Sequence, residues 1–406
     1  MNWKQEVLAH VKPSPQEQKL VESAIAAFLK KLNSVMGDAH AILGGSGAKG
    51  TWLKDQHDAD IFILFPPTYK TTEVSAIAEQ RMKRLCMRYE KLHGSRDYFR
   101  FHTDNIFEVV PLIDIKKAED AFNITDVSPL HARWVKKNST EKIRDDIRIA
   151  KAFCKAQGIY GAESYIRGFS GYVLETLVIH YGSFEKLLKA AISWKENDVI
   201  DCSKLYKNKN DALMSINEAK LQSPLIVVDP VDKKRNAAAA LSVEKWLIMK
   251  KKAAQFLKKP SIAFFEKERM TLEHLKKKGK SAVWIEAMAE EGQEDRVGTR
   301  LLGAFELIKE NLSDFGVASS GWEWDKKAVF WFVLKKKKRA AFYMRKGPPL
   351  AMKEHAAQFM KKHPHAVKKK GALWAKIAQT PLLGDVVKEA VNGHKEKLRA
   401  AKFIIT

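Results

Sequence analysis

Two hydrophobic periods alternate along the chain, and their order divides it. Leu20, Val21, Ile25, Phe28, Leu29 and Leu32 recur at helical spacing. They follow Ser14-Pro15-Gln16-Glu17, a capping box with proline at the first helical position, so an amphipathic helix is predicted there. Ala41-Ile42-Leu43 reads as a strand running into the turn Gly44-Gly45-Ser46-Gly47. Residues 59–65 read as a second strand, stopped by Pro66-Pro67, and 72–91 as a basic helix. Residues 98–103 and 106–113 read as two more strands, turning at Asp104-Asn105. This predicts a mixed α/β domain over residues 1–138.

From about residue 140 the period becomes helical. Helices are predicted at 145–156, at 172–194 with a break near Gly182, and at 236–258 before Pro260; a short buried strand lies at 225–228. Alternation returns after 260. Strands are predicted at 283–285 and 329–334, and helices at 298–311, 353–362 and 384–400. The divisions are therefore 1–138, 139–260 and 261–406, with no internal repeat.

Composition narrows the class. The 406 residues are 45% hydrophobic and 30% charged, enough apolar content for real cores. The formal net charge of +24 points to a polyanionic partner, nucleic acid before an anionic membrane surface. The excess is uneven. Residues 321–380 carry 16 Lys/Arg against 3 Asp/Glu, including Lys335-Lys336-Lys337-Lys338-Arg339 and Lys368-Lys369-Lys370, with Trp331, Phe332, Phe342, Tyr343, Phe359 and Trp374 interleaved. Lysine runs are often no more than a solvated face; the near absence of acids here favours phosphate contact. The first residues lack the apolar core of a signal peptide, and no apolar run approaches the ~18–20 residues of a membrane span. Cys86, Cys154 and Cys202 are far apart and odd in number, which suits a reducing, cytoplasmic setting rather than a disulfide framework or a thiolate zinc site.

The informative chemistry lies between residues 45 and 108. The turn at Gly45-Ser46-Gly47 offers backbone N–H groups and a hydroxyl to phosphate oxygens, and Lys49 adds a point charge. Asp58 and Asp60, at i and i+2 on a strand, lie on one face. Two such carboxylates repel unless a divalent cation lies between them, and Mg²⁺ takes hard oxygens at ~2.0–2.1 Å. Glu108, among apolar Phe107, Val109 and Val110, is the candidate third acid of a two-metal site. Each feature alone is weak: Gly-Ser turns are common, an Asp-x-Asp is more often a solvated strand edge, and Glu108 could simply face water. Their order and spacing together resemble the polymerase-β-like nucleotidyltransferase superfamily.

Further segments narrow the resemblance. Residues 123–131, Ile159-Tyr160-Gly161-Ala162-Glu163, Arg167-Gly168-Phe169-Ser170-Gly171-Tyr172, Tyr181-Gly182-Ser183-Phe184, residues 224–238 and Pro260-Ser261 are similar to segments of the archaeal-type (class I) CCA-adding tRNA nucleotidyltransferases. The likeness is nearly continuous from about 40 to 265; beyond that it rests on length and general character. It implies an α+β fold with a nucleotidyltransferase head of mixed sheet and helices, a helical neck, and a C-terminal α/β body with a helical tail. It implies template-independent addition of C, C and A to the tRNA 3′ end from CTP and ATP, with release of pyrophosphate and Mg²⁺ as cofactor. Asp58, Asp60 and Glu108 match the family's metal carboxylates; Ser46 and Lys49 match its triphosphate contacts. His131, Lys151 and Tyr160 match positions that hold the incoming nucleotide, and Arg235 lies in a motif near the nucleotide and the acceptor end. From the residues alone, His131 sits in a loop and is as readily structural, Lys151 is a surface lysine and Tyr160 a packed core tyrosine.

Two departures stand out. The family's third carboxylate is usually Asp, and here it is Glu108; Gly47 stands where the family usually has a larger residue. Implied partners are tRNA, ATP and CTP, with a homodimer left open and no membrane. Rival readings are another RNA nucleotidyltransferase of poly(A) polymerase or oligoadenylate synthetase type, and a catalytically inactive RNA-binding homologue. A DNA-binding protein using the lysine runs leaves the acids unexplained.

Overall fold

A computed structural model describes residues 3–54, 58–94, 96–267, 269–278, 281–394 and 396–405. The chain divides into two compact units, 1–268 and 269–406. All three cysteines are free thiols, and no helix among the described residues is long and apolar enough to cross a membrane.

The first unit opens with helices α1 (Trp3–Val11) and α2 (Pro15–Asn33), the latter started by the expected capping box at Ser14 and Glu17. Then come β1 (His40–Leu43), the short helix α3 (Gly45–Lys49), β2 (Asp58–Phe65), α4 (Val74–Met82), β3 (Tyr89–Leu92), β4 (Tyr98–His102) and β5 (Ile106–Ile113). The strands form one sheet ordered β1-β2-β5-β4-β3, in which only β2 and β5 run parallel. Ile61, Ile63 and Phe65 of β2 and Phe107 and Val109 of β5 are buried with Phe28 and Leu32 of α2 and Val74 and Ala78 of α4. Strand alternation then sends Asp58, Asp60 and Glu108 to the other face.

Helices α5 (Ser128–Asn138), α6 (Glu141–Ala156), α7 (Gly171–Tyr181) and α8 (Phe184–Ser193) follow, then β6 (Asp198–Asp201), α9 (Lys209–Ser215), β7 (Leu225–Val228) and α10 (Val243–Lys258). Their core is aromatic: Phe153, Phe169, Phe184 and Phe256 are fully buried, and Trp3 of α1 meets Phe256 edge-on at 5.0 Å. Gly182, at φ +81, ends α7 where the break was expected.

The second unit contains α11 (Leu272–Lys278), β8 (Ser281–Met288), α12 (Glu294–Asn311), β9 (Val317–Trp324), β10 (Ala328–Leu334), β11 (Phe342–Pro349), α13 (Lys353–Lys362), β12 (Val367–Lys369), β13 (Ala372–Ala378), α14 (Leu383–Asn392) and β14 (Arg399–Ile405). An antiparallel sheet ordered β14-β8-β10-β9 packs on α12 and α14 through Leu301, Phe305, Phe330, Phe332 and Val387. A second sheet, β11-β13-β12, carries α13 against β11.

Four local expectations change. His131 lies in α5 rather than a loop, because Pro129 opens this helix instead of blocking it. The basic helix stops at Met82, and Tyr89–Leu92 pairs with β4. Residues 236–241 are not helical: the Asn236 side chain accepts the N–H of Val227, and α10 starts only after its Ser242 cap. The last helix is shorter than expected, ending at Asn392, and Arg399–Ile405 adds an edge strand to β8.

Candidate active site

Asp60 pairs with Glu108 across the parallel strands β2 and β5, so both side chains project from the same face, with Asp58 two residues before Asp60. The Asp60 carboxylate lies against the backbone of Gly45. A Cβ on Gly45 would stand 1.6 Å from Asp60 Oδ2, and φ of +51 there independently favours glycine. Burial, then Glu108, push the Asp60 carboxyl up to about 6; Asp58 acts the same way and Lys49 opposes them. Glu108 Oε1 accepts hydrogen bonds from Arg100 Nη2 at 2.6 Å and Nε at 3.0 Å. Arg100 is its register partner on β4.

Among the described residues, no three acids, histidines or cysteines already stand grouped around a common point. The donor set nevertheless fits a hard divalent cation. It is all oxygen, and burial followed by the neighbouring Glu108 makes the Asp60 anion costly, which a bound cation would offset. Glu108 would join such a set only by giving up its contact with Arg100.

Beside the acids, Ser46 and Lys49 lie in the single turn α3, which Gly44 caps and left-handed Gly50 ends. Lys49 Nζ is 2.9 Å from Glu175 Oε2 and 5.4 Å from the centre of the Tyr172 ring. Lys151 is not the surface lysine its residue type suggests. It is 3% exposed, and its Nζ donates to Thr51 O at 3.1 Å, Thr51 Oγ1 at 3.0 Å and Glu175 Oε1 at 2.8 Å. Thr51 Oγ1 in turn donates to Glu175 Oε1 at 2.6 Å. Burial alone raises the Glu175 carboxyl, but Lys151 and Lys49 overcome it and hold it well below the usual carboxylate range.

A second buried carboxylate, Asp229, gathers the other predicted residues. Its Oδ2 lies 2.9 Å from His131 Nε2 and 3.0 Å from Arg235 Nη1. Its Oδ1 accepts from the Tyr172 hydroxyl at 2.9 Å, and the rings of His131 and Tyr172 stack at 4.0 Å. Burial lowers the His131 pKa against the opposing pull of Asp229. Tyr160 is joined to Phe169 by a single bridge and has Lys155 Nζ 5.0 Å from its ring centre. A Cβ on Gly171 would lie 3.0 Å from its hydroxyl and 3.8 Å from Lys151 Nζ, which places Tyr160 near Lys151.

Thus Glu175 joins Lys49 to Lys151, Asp229 joins His131 to Arg235, and Tyr172 touches both groups. Arg100, Thr51, Tyr172, Glu175 and Asp229 escape a reading of single motifs. Glu175 did leave a signal: it is the single acid of a mostly apolar helix, between Leu174 and Leu177.

Comparison with known proteins agrees with this geometry. The family model described as "Nucleotidyltransferase domain" matches residues 23–125, and "tRNA nucleotidyltransferase, second domain" matches 145–266. A CCA-adding enzyme of Nanoarchaeum equitans is 40% identical over 238 residues, which is 58% of this chain and 60% of the relative. One from Sulfurisphaera tokodaii is 35% identical over 271 residues, 65% of this chain and 61% of the relative. The match thus spans about three fifths of the length of each of these two. One from Methanosarcina acetivorans is 30% identical over 378 residues, 88% of this chain and 80% of the relative. A solved cytoplasmic RNA terminal U-transferase shares the fold, with TM-score 0.52 and 14% identity, over 66% of this chain and 98% of its own. The shared fold is the polymerase-β-like one. With a nucleotidyltransferase match over the sheet that carries the three acids and a relative aligned along most of both chains, this protein belongs to the family of archaeal CCA-adding enzymes.

Proposed function

We propose that the protein adds C, C and A to the 3′ end of tRNA, using CTP and ATP without a template and releasing pyrophosphate. The register of Asp60 against Glu108, beside a glycine-lined turn that carries Ser46 and Lys49, supports this reading above all. Asp58, Asp60 and Glu108 would hold Mg²⁺, whose charge would activate the attacking 3′-hydroxyl and neutralise the departing pyrophosphate. Ser46 and Lys49 bind the triphosphate. Lys151 and Tyr160 shape its floor, and His131 and Arg235 face the nucleoside side. Such a site works mainly by positioning and charge stabilisation.

In this reading residues 1–138 form the catalytic head, 139–260 the neck that takes the nucleotide and acceptor end, and 261–406 the body and tail that bind tRNA in a cytoplasmic setting. The basic stretch 321–380 meets the phosphates, and RNA helices are read there by shape and backbone.

The test uses tRNAs ending before the first C, after C and after CC, each incubated with Mg²⁺ and one nucleoside triphosphate at a time. Stepwise C, C, A addition followed by arrest is expected. A long homopolymer would instead identify a poly(A) polymerase type, and no incorporation an inactive RNA-binding homologue.

A further inference from the structure

Among the described residues, Glu175 is the one side chain hydrogen-bonded to both Lys49 and Lys151. It is 1% exposed, on the first turn and a half of α7, one helical turn past Tyr172. Its two oxygens divide the work. Oε1 receives Lys151 and the Thr51 hydroxyl, and Oε2 receives Lys49. The three N–H bonds of a lysine ammonium are its whole donor supply. Lys151 directs all three at Thr51 and Glu175. Lys49 is different: among the described residues Glu175 is the only carboxylate at ion-pair distance from it, so the rest of that ammonium remains for another acceptor.

We propose that Glu175 is a positioning residue for the triphosphate of the incoming nucleotide, acting through Lys49 and, by way of Thr51, through the turn that follows it. This inference rests on the nucleotide-transfer reading above. The lysine on α3 has a long flexible stem, and a carboxylate fixed on α7 selects one of its rotamers in advance of ligand. Lys151 serves as a counter-charge: it keeps the buried carboxylate ionised, so that carboxylate can hold Lys49. Arg148, which donates to Gly50 O at 2.6 Å and Trp52 O at 3.2 Å, fixes the same segment from α6.

Competing electrostatics must be weighed, because removing an acid near a polyphosphate also adds attraction. With Glu175 replaced by Gln, however, Lys151 is a buried ammonium without a counter-ion, and such a group sheds its proton. The local net charge is then close to its starting value. What disappears is the aim of Lys49.

The experiment measures steady-state kinetics of Glu175→Gln with tRNA ending in CC or before the first C, alongside thermal melting. We expect KM for ATP and for CTP to rise together by about tenfold, with the preference between them kept. In the reverse reaction KM for pyrophosphate should rise by the same factor, since the same groups hold it. A merely structural role for Glu175 lowers the melting temperature and the active fraction while KM stays put, and that result, or a lowered KM, overturns the inference. If Glu175→Gln does not fold, Glu175→Asp keeps the charge but is one methylene too short to reach both lysines. A KM raised at least threefold with melting near wild type supports the inference, and an unchanged KM overturns it. Failure of the wild-type protein to add nucleotides would instead reject the transfer reading itself.

Discussion

Arg100 on β4 and Glu108 on β5 form a 2.6 Å ion pair on the same strand register that sets Glu108 opposite Asp60. The third acid of the site thus has two claimants, a guanidinium on one side and any cation bound by the aspartates on the other. Both partners of the pair are about one third exposed, so it is a weak, exchangeable contact. Arg100→Gln should lower the Mg²⁺ concentration for half-maximal nucleotide addition by roughly two- to fivefold, the scale of an exposed ion pair. An unchanged or higher Mg²⁺ requirement would show that Arg100 does not compete.

Burial makes the charge on Asp60 costly. Its folded pKa of about 6 lies above the ordinary value of 3.8. Between these values the unfolded chain releases the proton first, so stability falls as pH rises through that window and stays reduced above it. In chelator-treated protein, Asp60→Asn should therefore raise the melting temperature by a few degrees at pH 8 and by much less at pH 4. Added Mg²⁺ should stabilise the wild type at pH 8 and leave the variant nearly unaffected. The same variant should lose about 10²-fold or more in turnover, the usual scale for deleting one preorganised charge. Equal melting of the two proteins at pH 8 would contradict the burial argument.

The acids are legible in the sequence because strand alternation places i and i+2 on one face, and a lone Glu108 among apolar neighbours asks for a reason. Glu175 is hidden for the opposite cause. Its partner Lys49 lies 126 residues away and Lys151 24 away, so only the packing of α3, α6 and α7 reveals the group. His131 is misplaced by the habit of reading proline as a stop when it also starts helices. Strands β11 and β12 have almost no buried positions, so no hydrophobic period marks them. Only charge and aromatic content draw the eye there.

Asp229 offers a test of nucleotide choice. It binds Arg235, His131 and Tyr172 at once, and burial of the acid is outweighed by its bond from His131, so it stays ionised. Arg235→Ala should relax exclusion of UTP by about tenfold, the scale of a charged hydrogen bond. Asp229→Asn should relax it in the same direction by freeing the guanidinium. Competition of UTP against CTP on tRNA lacking CCA reads both, and unaltered selectivity in Arg235→Ala would remove that residue from base recognition.

The basic sheet of the second unit makes a different, purely electrostatic claim. Lys368 and Lys369 lie on the exposed edge strand β12, Lys370 follows at its end, and Lys376 on the neighbouring β13 sits 4.3 Å from the exposed Phe342 ring. An edge strand of lysines also resists pairing with other chains, so charge there has a structural use without RNA. The two roles separate by salt. Phosphate contacts release counterions, so the logarithm of tRNA affinity falls with the logarithm of salt by ~0.7–0.9 per contact. Replacing Lys368, Lys369 and Lys370 with Gln should weaken tRNA binding at 0.05 M salt more than at 0.3 M and make the slope shallower by roughly 1–2. KM for CTP should stay unchanged, because these residues act on the RNA and not on the nucleotide. If the lysines only guard the edge, the slope will match wild type and the variant will instead aggregate more readily.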